Sequence, residues 1–449
     1  MKMIEMSFFI SNHRNIYSIE KINVLKMEKV WKNYLPLVIL VVMAALLVSA
    51  TRLNEVRESM KAGAAVVKIT PAEPVRMSGY AARSEPFKGV HDDLFASAVV
   101  FENGSTKACI ITADVIGFSH EFVDETKQRI NTGTGIPAEN ILVTAVHNHG
   151  GPRTRAYGEE PTENEKAYVI TLQDNLVRIA VDADKNLEPV VIGVGKGTCK
   201  MNINRRARHA EGGVWLGRNP EGVCDQEVGV IRVDDLSGKT IAILANWPCH
   251  ATTGGQENYQ ITGDWPGAAS REIRKKYPDA VVLMSAGASG DINPIYGPND
   301  SFNDIDAIGQ TLAGEIIDVC AGIESYPVND LQGRSMVIRA AGKKSSESRM
   351  PNVSLNPGED VEIRVSALKI GSILIAGISG ELMNEIGLAI KEESPYKNTF
   401  IYTHCNGNSG YLCTDKAYEE GGYEPMVSRT MPGTEKQITD TFLIMNNAL

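Results

Sequence analysis

Two of the chain's eight histidines stand one residue apart, in the stretch TAVHNHGGP from Thr144 to Pro152. The segment before them, ENILVTAV, carries Ile141, Leu142, Val143 and Val146 in an apolar run of strand length. Alternate residues of a strand share a face. His147 and His149 would therefore point the same way, where the strand ends and a Gly-Gly-Pro turn begins. Strand ends are the usual place for chemistry in an α/β protein. Four other stretches have the same character. IAILANWPCHATT is an apolar strand that runs into His250, and SILIAGISGELMNEIG reads as a strand, a glycine turn and a helix beginning at Glu381. AVVLMSAGASGDINP ends in small residues and Asp291, and TFIYTHCNGNSGYLC leads through a Gly/Asn loop to Tyr411. Two or three neutral imidazoles and a carboxylate from separate strand ends make the ligand set of a catalytic zinc that keeps one position open for water. Each residue also has an ordinary alternative. The histidines could be satisfied core residues, Glu381 could serve the first-turn N–H groups of its helix, and Tyr411 could be packing. The segments lie tens to hundreds of residues apart, so spacing alone leaves both readings open.

The elements that would have to position these residues are visible as a pattern. From about Gly63, apolar runs of strand length alternate with longer amphipathic stretches. ACIITAD, ILVTAVH, VGVIRVDD, IAILANW, AVVLMSA, EIRVSALKI, SILIAGIS and FIYTH are strand candidates, while HEFVDETKQRI, PGAASREIRKKY and FNDIDAIGQTLAGEIIDVCAGI are helix candidates. FENGSTK reads as the turn of an antiparallel hairpin. The expectation is an α/β fold: one large catalytic domain over residues 62–449, with mixed β-sheets flanked by helices. At 449 residues, 43% hydrophobic and 22% charged, the composition is ordinary for a globular protein. A net charge of −10 supplies no broad basic face, which excludes a nucleic-acid partner. No internal repeat and no Walker-type phosphate loop is present.

Residues 1–50 read as a leader. MEKVWKNYLPLVILVVMAALLVSA has a basic start at Lys29 and Lys32, an apolar run from Leu35 to Val48 and the ending Val48-Ser49-Ala50. That is the layout of a secretory signal, with a retained signal anchor as the alternative. The residues before Met27 read as an upstream start outside the fold. The expected location is secreted or periplasmic, or membrane-anchored if the leader is retained. The seven cysteines are scattered and odd in number, with no CxxC pair, and several sit in apolar runs as Cys109 does. Those in apolar runs read as buried free thiols; a cysteine-rich zinc site is not expected, and the spacing reveals no disulfide framework and leaves any pairing open.

Taken in order, the segments resemble the neutral/alkaline non-lysosomal ceramidase family. AGAAVVKITPAEPVRMSGYAARSEPFKGVHDDLFASAVV is similar to that family's opening. The likeness continues through ADVIG, TAVHNHGGP, NINRR, NWPCHAT and GDINP, and closes with GISGE and SGYLCTDKAYEEGGYE. The resemblance implies a zinc ion held by His147, His250, Glu381 and Tyr411. His149, Arg205 and Tyr423 match positions that surround the metal and hold the reacting carbonyl. It implies an amide (N-acyl) hydrolase in which zinc activates water, with Arg205 and a tyrosine hydroxyl stabilising the oxyanion and His149 or Tyr423 protonating the leaving group. Asp264, in ITGDWPG, matches an acidic position of structural character. The implied partner is a lipid or other small molecule, with membrane contact only through the leader or the lipid.

Two departures stand out. The family carries a serine before its Gly-Asp pair. Here the stretch is SAGASGD, the position falls on Gly287, and Ser285 and Ser289 flank it without matching. The chain also ends at TFLIMNNAL, soon after the tyrosine motif, where the family continues into a C-terminal β-sandwich. In addition HTHSGPGG has become HNHGGPRT, expected to bring Arg153 and Arg155 toward the metal. These features admit two alternatives: a metal-dependent hydrolase acting on a non-ceramide ester, amide or glycoside, and a non-catalytic secreted binding protein.

Overall fold

Alternation within the strands dictates a sheet with two apolar faces, and both faces are covered. In the strand Phe95–Asn103, Ala96, Ala98 and Val100 enter one buried cluster while Val99 and Phe101 enter another. Its hairpin partner Thr106–Ala113 divides likewise, Cys109 and Ile111 against Ala108 and Ile110. A strand whose two sets of side chains are both buried must lie between two layers. The computed structural model describes residues 60–156, 159–344 and 353–449, with Leu35, Pro36, Leu40 and Met43. The signal-peptide reading of residues 1–50 otherwise lies outside the described residues.

The larger sheet is built from β1 (Lys61–Lys68), β2 (Phe95–Asn103), β3 (Thr106–Ala113), β4 (Ile141–Ala145), β5 (Glu188–Thr198), β6 (Glu227–Asp235), β7 (Thr240–Trp247) and β8 (Val281–Ala286). Its order is β8-β7-β6-β5-β1-β2-β3-β4, with β3–β4 and β7–β8 parallel and the other pairs antiparallel. The expected hairpin at FENGSTK is present, pairing Asn103 with Thr106, and Gly104 supplies a left-handed φ of 59°. The smaller sheet has the order β9 (Leu331–Ala340), β10 (Val361–Ile370), β11 (Ile373–Ile378), β12 (Asn398–Tyr402), with β11–β12 parallel.

One face of each sheet meets the other. Leu142, Leu244 and Leu283 of the larger sheet share a cluster with Leu368, Ile375, Phe400 and Tyr402 of the smaller. Helices cover the outer faces. α1 (His120–Thr134) and α2 (Glu163–Lys185) pack on one half of the larger sheet, and α3 (Asp264–Lys276) and α4 (Phe302–Gly322) on the other. α5 (Asn384–Glu393) and the helix Thr434–Asn446 cover the smaller sheet. The four layers run helix, sheet, sheet, helix, which is the expected class of mixed sheets flanked by helices. The helix starts follow capping chemistry: Thr162 and Glu165 form a reciprocal capping box at α2, and Ser119 and Ser301 accept backbone N–H groups at α1 and α4. Ser59–Leu449 make one compact unit.

The consequence for function lies at the strand ends. β4, β7, β8, β11 and β12 all belong to parallel pairs, and their C-terminal ends lead to His147, His250, Gly287, Glu381 and His404 respectively. Two isolated bridges tie these ends, Asn148 to Ala251 between two strand ends of the larger sheet and Thr144 to Cys405 across the layers.

Candidate metal centre

His147 and His250 reach the same point by the same device. At each, the ring Nδ1 is held by a main-chain carbonyl: His147 Nδ1 lies 2.9 Å from the Ile116 oxygen, and His250 Nδ1 lies 2.6 Å from the Ser289 oxygen and 3.1 Å from that of Ile292. A carbonyl only accepts, so each Nδ1 donates to it and each Nε2 is turned toward the centre. The main chain is fixed as firmly. His147 is held at a left-handed φ of 60°, a conformation costing about 1 kcal/mol or more for a residue with a Cβ. The His250 carbonyl accepts from Trp265 Nε1 at 2.9 Å, and Trp265 packs edge-on against Trp247 with centroids 4.9 Å apart.

Glu381 stands between the two rings. Its Oε2 lies 3.4 Å from His147 Nε2 and 3.3 Å from His250 Nε2. The expected helix start at this residue is corrected by the structure. Glu381–Leu382 is a two-residue strand paired in parallel with Tyr411–Leu412, which sets Glu381 directly opposite Tyr411. The helix begins at Asn384, and Asp291 Oδ1 accepts from the Asn384 N–H at 2.8 Å. Asp291 thus takes the first-turn role that Glu381 was expected to play, and the Glu381 carboxylate is left to the histidines. Burial acts to raise its pKa, but His147 and His250 overcome this and hold it well below the usual carboxylate range.

Tyr411 accepts from Arg205 Nη2 at 3.0 Å, and burial pushes its phenol pKa well up. Arg205, on the strand Asn202–Arg208, is itself buried. Its Nη1 stands 3.3 Å from His250 Nε2 and 3.2 Å from Asn293 Oδ1, while its Nε donates to Glu424 Oε1 at 2.8 Å. Burial and then the Arg205 cation carry the His250 pKa down to about 4, so the ring is neutral at ordinary pH. Tyr423 opens a short helix, Tyr423–Val427, with its ring 5.8 Å from that of Tyr411. At 38% exposure it stands at the mouth of the site.

His149 joins the inner group. Its Nε2 is 3.2 Å from His147 Nε2, and the ring nitrogens of His147, His149 and His250 all lie within 4.8 Å of one another. Gly79 makes room for it: at φ 96°, a Cβ on this residue would come within 2.4 Å of the imidazole. Tyr80 meets the ring edge-on at 5.2 Å, and the buried guanidinium of Arg83 donates to the His149 carbonyl. Burial, then His147 and His250, hold the His149 pKa well down.

These separations fit a metal ion. Bonds of about 2.0–2.1 Å to a tetrahedral ion put neighbouring ligand atoms about 3.3 Å apart. The His147–Glu381 and His250–Glu381 atom pairs are 3.4 and 3.3 Å apart. Orienting carbonyls behind two imidazoles, beside a deprotonated carboxylate, are the surroundings such an ion requires.

All seven residues singled out from the sequence are therefore gathered in one place. Asp264 is buried at φ 49°, and its carboxylate accepts from the Gly254 and Trp265 N–H groups at 2.8 and 2.7 Å. That is structural work. Gly287 is boxed in, since a Cβ there would stand 3.0 Å from three atoms of Pro248. Ser285 is tied to Asn246 and the Ala245 carbonyl, and Ser289 contributes its carbonyl to His250. Arg153 donates to Glu159 at 3.2 Å and to the Arg83 carbonyl at 3.4 Å, and Arg155 lines a neighbouring cavity. All seven cysteines are free thiols, six of them buried.

Two residues at the site escaped the sequence reading. Glu424, 1% exposed, bridges Arg205 and Arg206 with one oxygen to each at 2.8 Å. It sits beside Tyr423 in a stretch whose tyrosine drew notice. His404 stacks face to face on His147 with centroids 3.8 Å apart. A histidine closing the strand FIYTH was the available signal.

Comparison with known proteins identifies a family and a shared fold. The family model for neutral/alkaline non-lysosomal ceramidase, N-terminal, matches residues 61–302. Neutral ceramidase A of Dictyostelium discoideum is 28% identical over 229 residues, covering 47% of this chain and 31% of the relative. Neutral ceramidase of Pseudomonas aeruginosa is 22% identical over 339 residues, covering 71% and 49%. The matches thus span less than half the length of these relatives. The crystal structure of the Pseudomonas aeruginosa protein superposes with a TM-score of 0.74 at 17% identity, over 87% of this chain and 75% of that one, which shows a shared fold. With its family model matching over the half of the chain that supplies His147, His149, Arg205 and His250, this protein belongs to the neutral/alkaline non-lysosomal ceramidase family.

Proposed function

We propose that this protein is an exported zinc-dependent hydrolase whose single catalytic domain, residues 62–449, cleaves an N-acyl amide bond. The observation that supports this most is the meeting of His147, His250 and Glu381, each from a different strand end, at spacings that suit one tetrahedral ion. His147, His250, Glu381 and Tyr411 would hold the zinc. When bound, the ion supplies Lewis acidity and lowers the pKa of a water ligand to about 7.

The chain's own groups supply the rest. Arg205 is locked by Glu424 and Asn293, so its Nη atoms are aimed before substrate arrives and need no reorganisation to polarise a carbonyl oxygen. Neutral His149 can accept or return a proton within the site, and the half-exposed Tyr423 hydroxyl can give one to a leaving amine. Gly287 carries no nucleophile, and its packing against Pro248 leaves no room for one without a shift. A direct hydrolysis therefore suits the residues better than an acyl-serine route. Among the described residues no helix is long and apolar enough to cross a membrane.

A second reading keeps the metal chemistry and replaces ceramide with a polar ester, amide or glycoside. It is favoured by a cavity of about 890 Å³ lined by Arg155, His120, Lys343, Asp360, Asn408 and Arg429 among others. Thr154 and Arg155 on its wall follow the His147–Pro152 stretch in the chain, and Asn408 follows His404 by four residues. The cations Arg155, Lys343 and Arg429 on these walls would meet polar or anionic groups of a substrate, and Phe122, Val169 and Val361 its apolar parts.

Two measurements decide. Elemental analysis of protein purified without added metal is expected to find near-stoichiometric zinc in the wild type and its loss in folded His147→Ala and His250→Ala variants. A wild type that is metal-free and cannot be loaded removes the hydrolase reading. A panel of N-acyl lipids and polar acylated compounds then separates the substrates. Fatty-acid release from micellar ceramide supports the first reading, and turnover of the polar compounds alone supports the second.

A further inference from the structure

His404 is a fourth imidazole at the centre, and no step above uses it. It follows β12 at a left-handed φ of 52°, as His147 follows β4 at 60°, so two strained residues bring two rings together. The rings are nearly parallel, 10° apart, at 3.8 Å. The His404 backbone is held in place: its N–H donates to the Gly380 carbonyl at 3.3 Å, its neighbour Cys405 donates to the Ile378 carbonyl at 3.0 Å, and Thr403 Oγ1 donates to the Gly287 carbonyl at 2.9 Å. The side chain is buried, and its Nε2 has no hydrogen-bond partner. A buried nitrogen left unmet calls for an account, and it is the ring face, not the nitrogen, that meets His147.

Aromatic rings avoid full face-to-face overlap, because like charge of the two π clouds meets, and prefer offset or edge-on contact. The other ring pairs of this cluster follow that preference: His147 meets His149 at 77° and His250 at 78°. The His404 contact does not. Electron withdrawal from His147 reverses the sign of the interaction. A cation on its Nε2 drains the ring, and the π face of His404 then attracts the drained ring as it would a cation.

We infer that His404 is a positioning residue for His147, whose stacked ring stabilises the metal-bound over the metal-free form and raises metal affinity. The inference rests on the reading of His147 as a ligand.

The test is titration of the metal-free full chain with Zn²⁺ by calorimetry and with Co²⁺ by visible absorption, in wild type, His404→Phe and His404→Leu. Phenylalanine keeps a π face without a nitrogen and leucine keeps neither. His404→Phe is expected within about threefold of wild type. His404→Leu is expected to bind about 10–100-fold more weakly, the range found when a group orienting a metal ligand is removed, with a shifted cobalt spectrum. Wild-type affinity in His404→Leu overturns the inference, and so does His404→Phe binding as weakly as His404→Leu, which would assign the role to the nitrogen. A purely structural role would lower the thermal midpoint of the metal-free variant while leaving affinity and spectrum unchanged. If His404→Leu does not fold, His404→Gln, polar but ringless, is expected to lose the same affinity, and wild-type binding there overturns the inference. A wild type that binds neither ion sinks the metal reading itself, a failure the wild-type titration alone identifies.

Discussion

Replacing Glu424 with glutamine tests how the site holds its arginine. The carboxylate is buried and takes Arg205 Nε on one oxygen and Arg206 Nη1 on the other, both at 2.8 Å. Removing one partner of a buried ion pair costs about 3–5 kcal/mol, since the remaining charge is left without compensation. Here each arginine keeps something. Arg206 still reaches Glu420 at 3.3 Å and the Gly421 carbonyl at 2.9 Å, while Arg205 keeps Asn293 and Tyr411. The loss should therefore fall near the low end, about 3 kcal/mol, read by urea unfolding at pH 7. Burial tends to raise the Glu424 pKa, but Arg205 and Arg206 prevail and lower it below its ordinary 4.5. A carboxyl with a lowered folded pKa stabilises above its unfolded pKa and loses that contribution as pH falls through the folded value. The stability gap between wild type and Glu424→Gln should thus be constant from pH 7 to about 5 and close below about 4.5. Turnover should suffer more than substrate binding, because Arg205 Nη1 and Nη2 lose the anchor that aims them. A fall of about 10–100-fold in kcat is expected, against the about 10²–10³ typical of deleting such a donor outright. A variant within 1 kcal/mol of wild type at pH 7, or one with unchanged kcat, refutes the reasoning.

Gly79→Ala should cut kcat/KM at least about tenfold, because the new Cβ would meet the His149 ring at 2.4 Å on a backbone held at φ 96°; unchanged kinetics would mean His149 can move without consequence. Gly287→Ser, which restores the family's serine, should bring no gain in turnover and a stability loss of about 1–3 kcal/mol from crowding against Pro248 at 3.0 Å, measured by denaturant unfolding. Increased activity in this variant would instead favour a serine route. The folded protein should be silent to a thiol reagent at pH 8. Six thiols are buried, and burial pushes even the partly exposed Cys224 up to about 12. Seven reactive groups should appear on unfolding, and fewer would indicate a modified or bridged cysteine.

How much of this was legible in the sequence follows from the range of each interaction. Strand periodicity is local and survives in the sequence. The runs around Ile110, Val143, Leu244 and Ile375 became β3, β4, β7 and β11 close to their expected bounds because both faces of each are buried. The imidazole pair of His147 and His149 was legible by residue type and place after a strand, but not by strand alternation: the strand ends at Ala145 and His147 turns at φ 60°. What failed was local in appearance and long-range in cause. Glu381 sits before an amphipathic run and looks like a first-turn acid, yet Asp291, 90 residues earlier, takes the N–H of Asn384 and frees Glu381 to pair opposite Tyr411. The two-residue ladder Glu381–Leu382 with Tyr411–Leu412 is too short to show a period, and Asn202–Arg208, NINRRAR, pairs with Val214–Asn219 through a register shift and carries only two apolar residues. His404 and Glu424 were hidden more deeply. Each acts on a residue more than 200 positions away: His404 on His147 through its ring, Glu424 on Arg205 through its carboxylate. Residue type at a strand end marks the groups that face the centre. The groups that hold those in place are chosen by the packing of two sheets, and they become visible only when the layers are stacked.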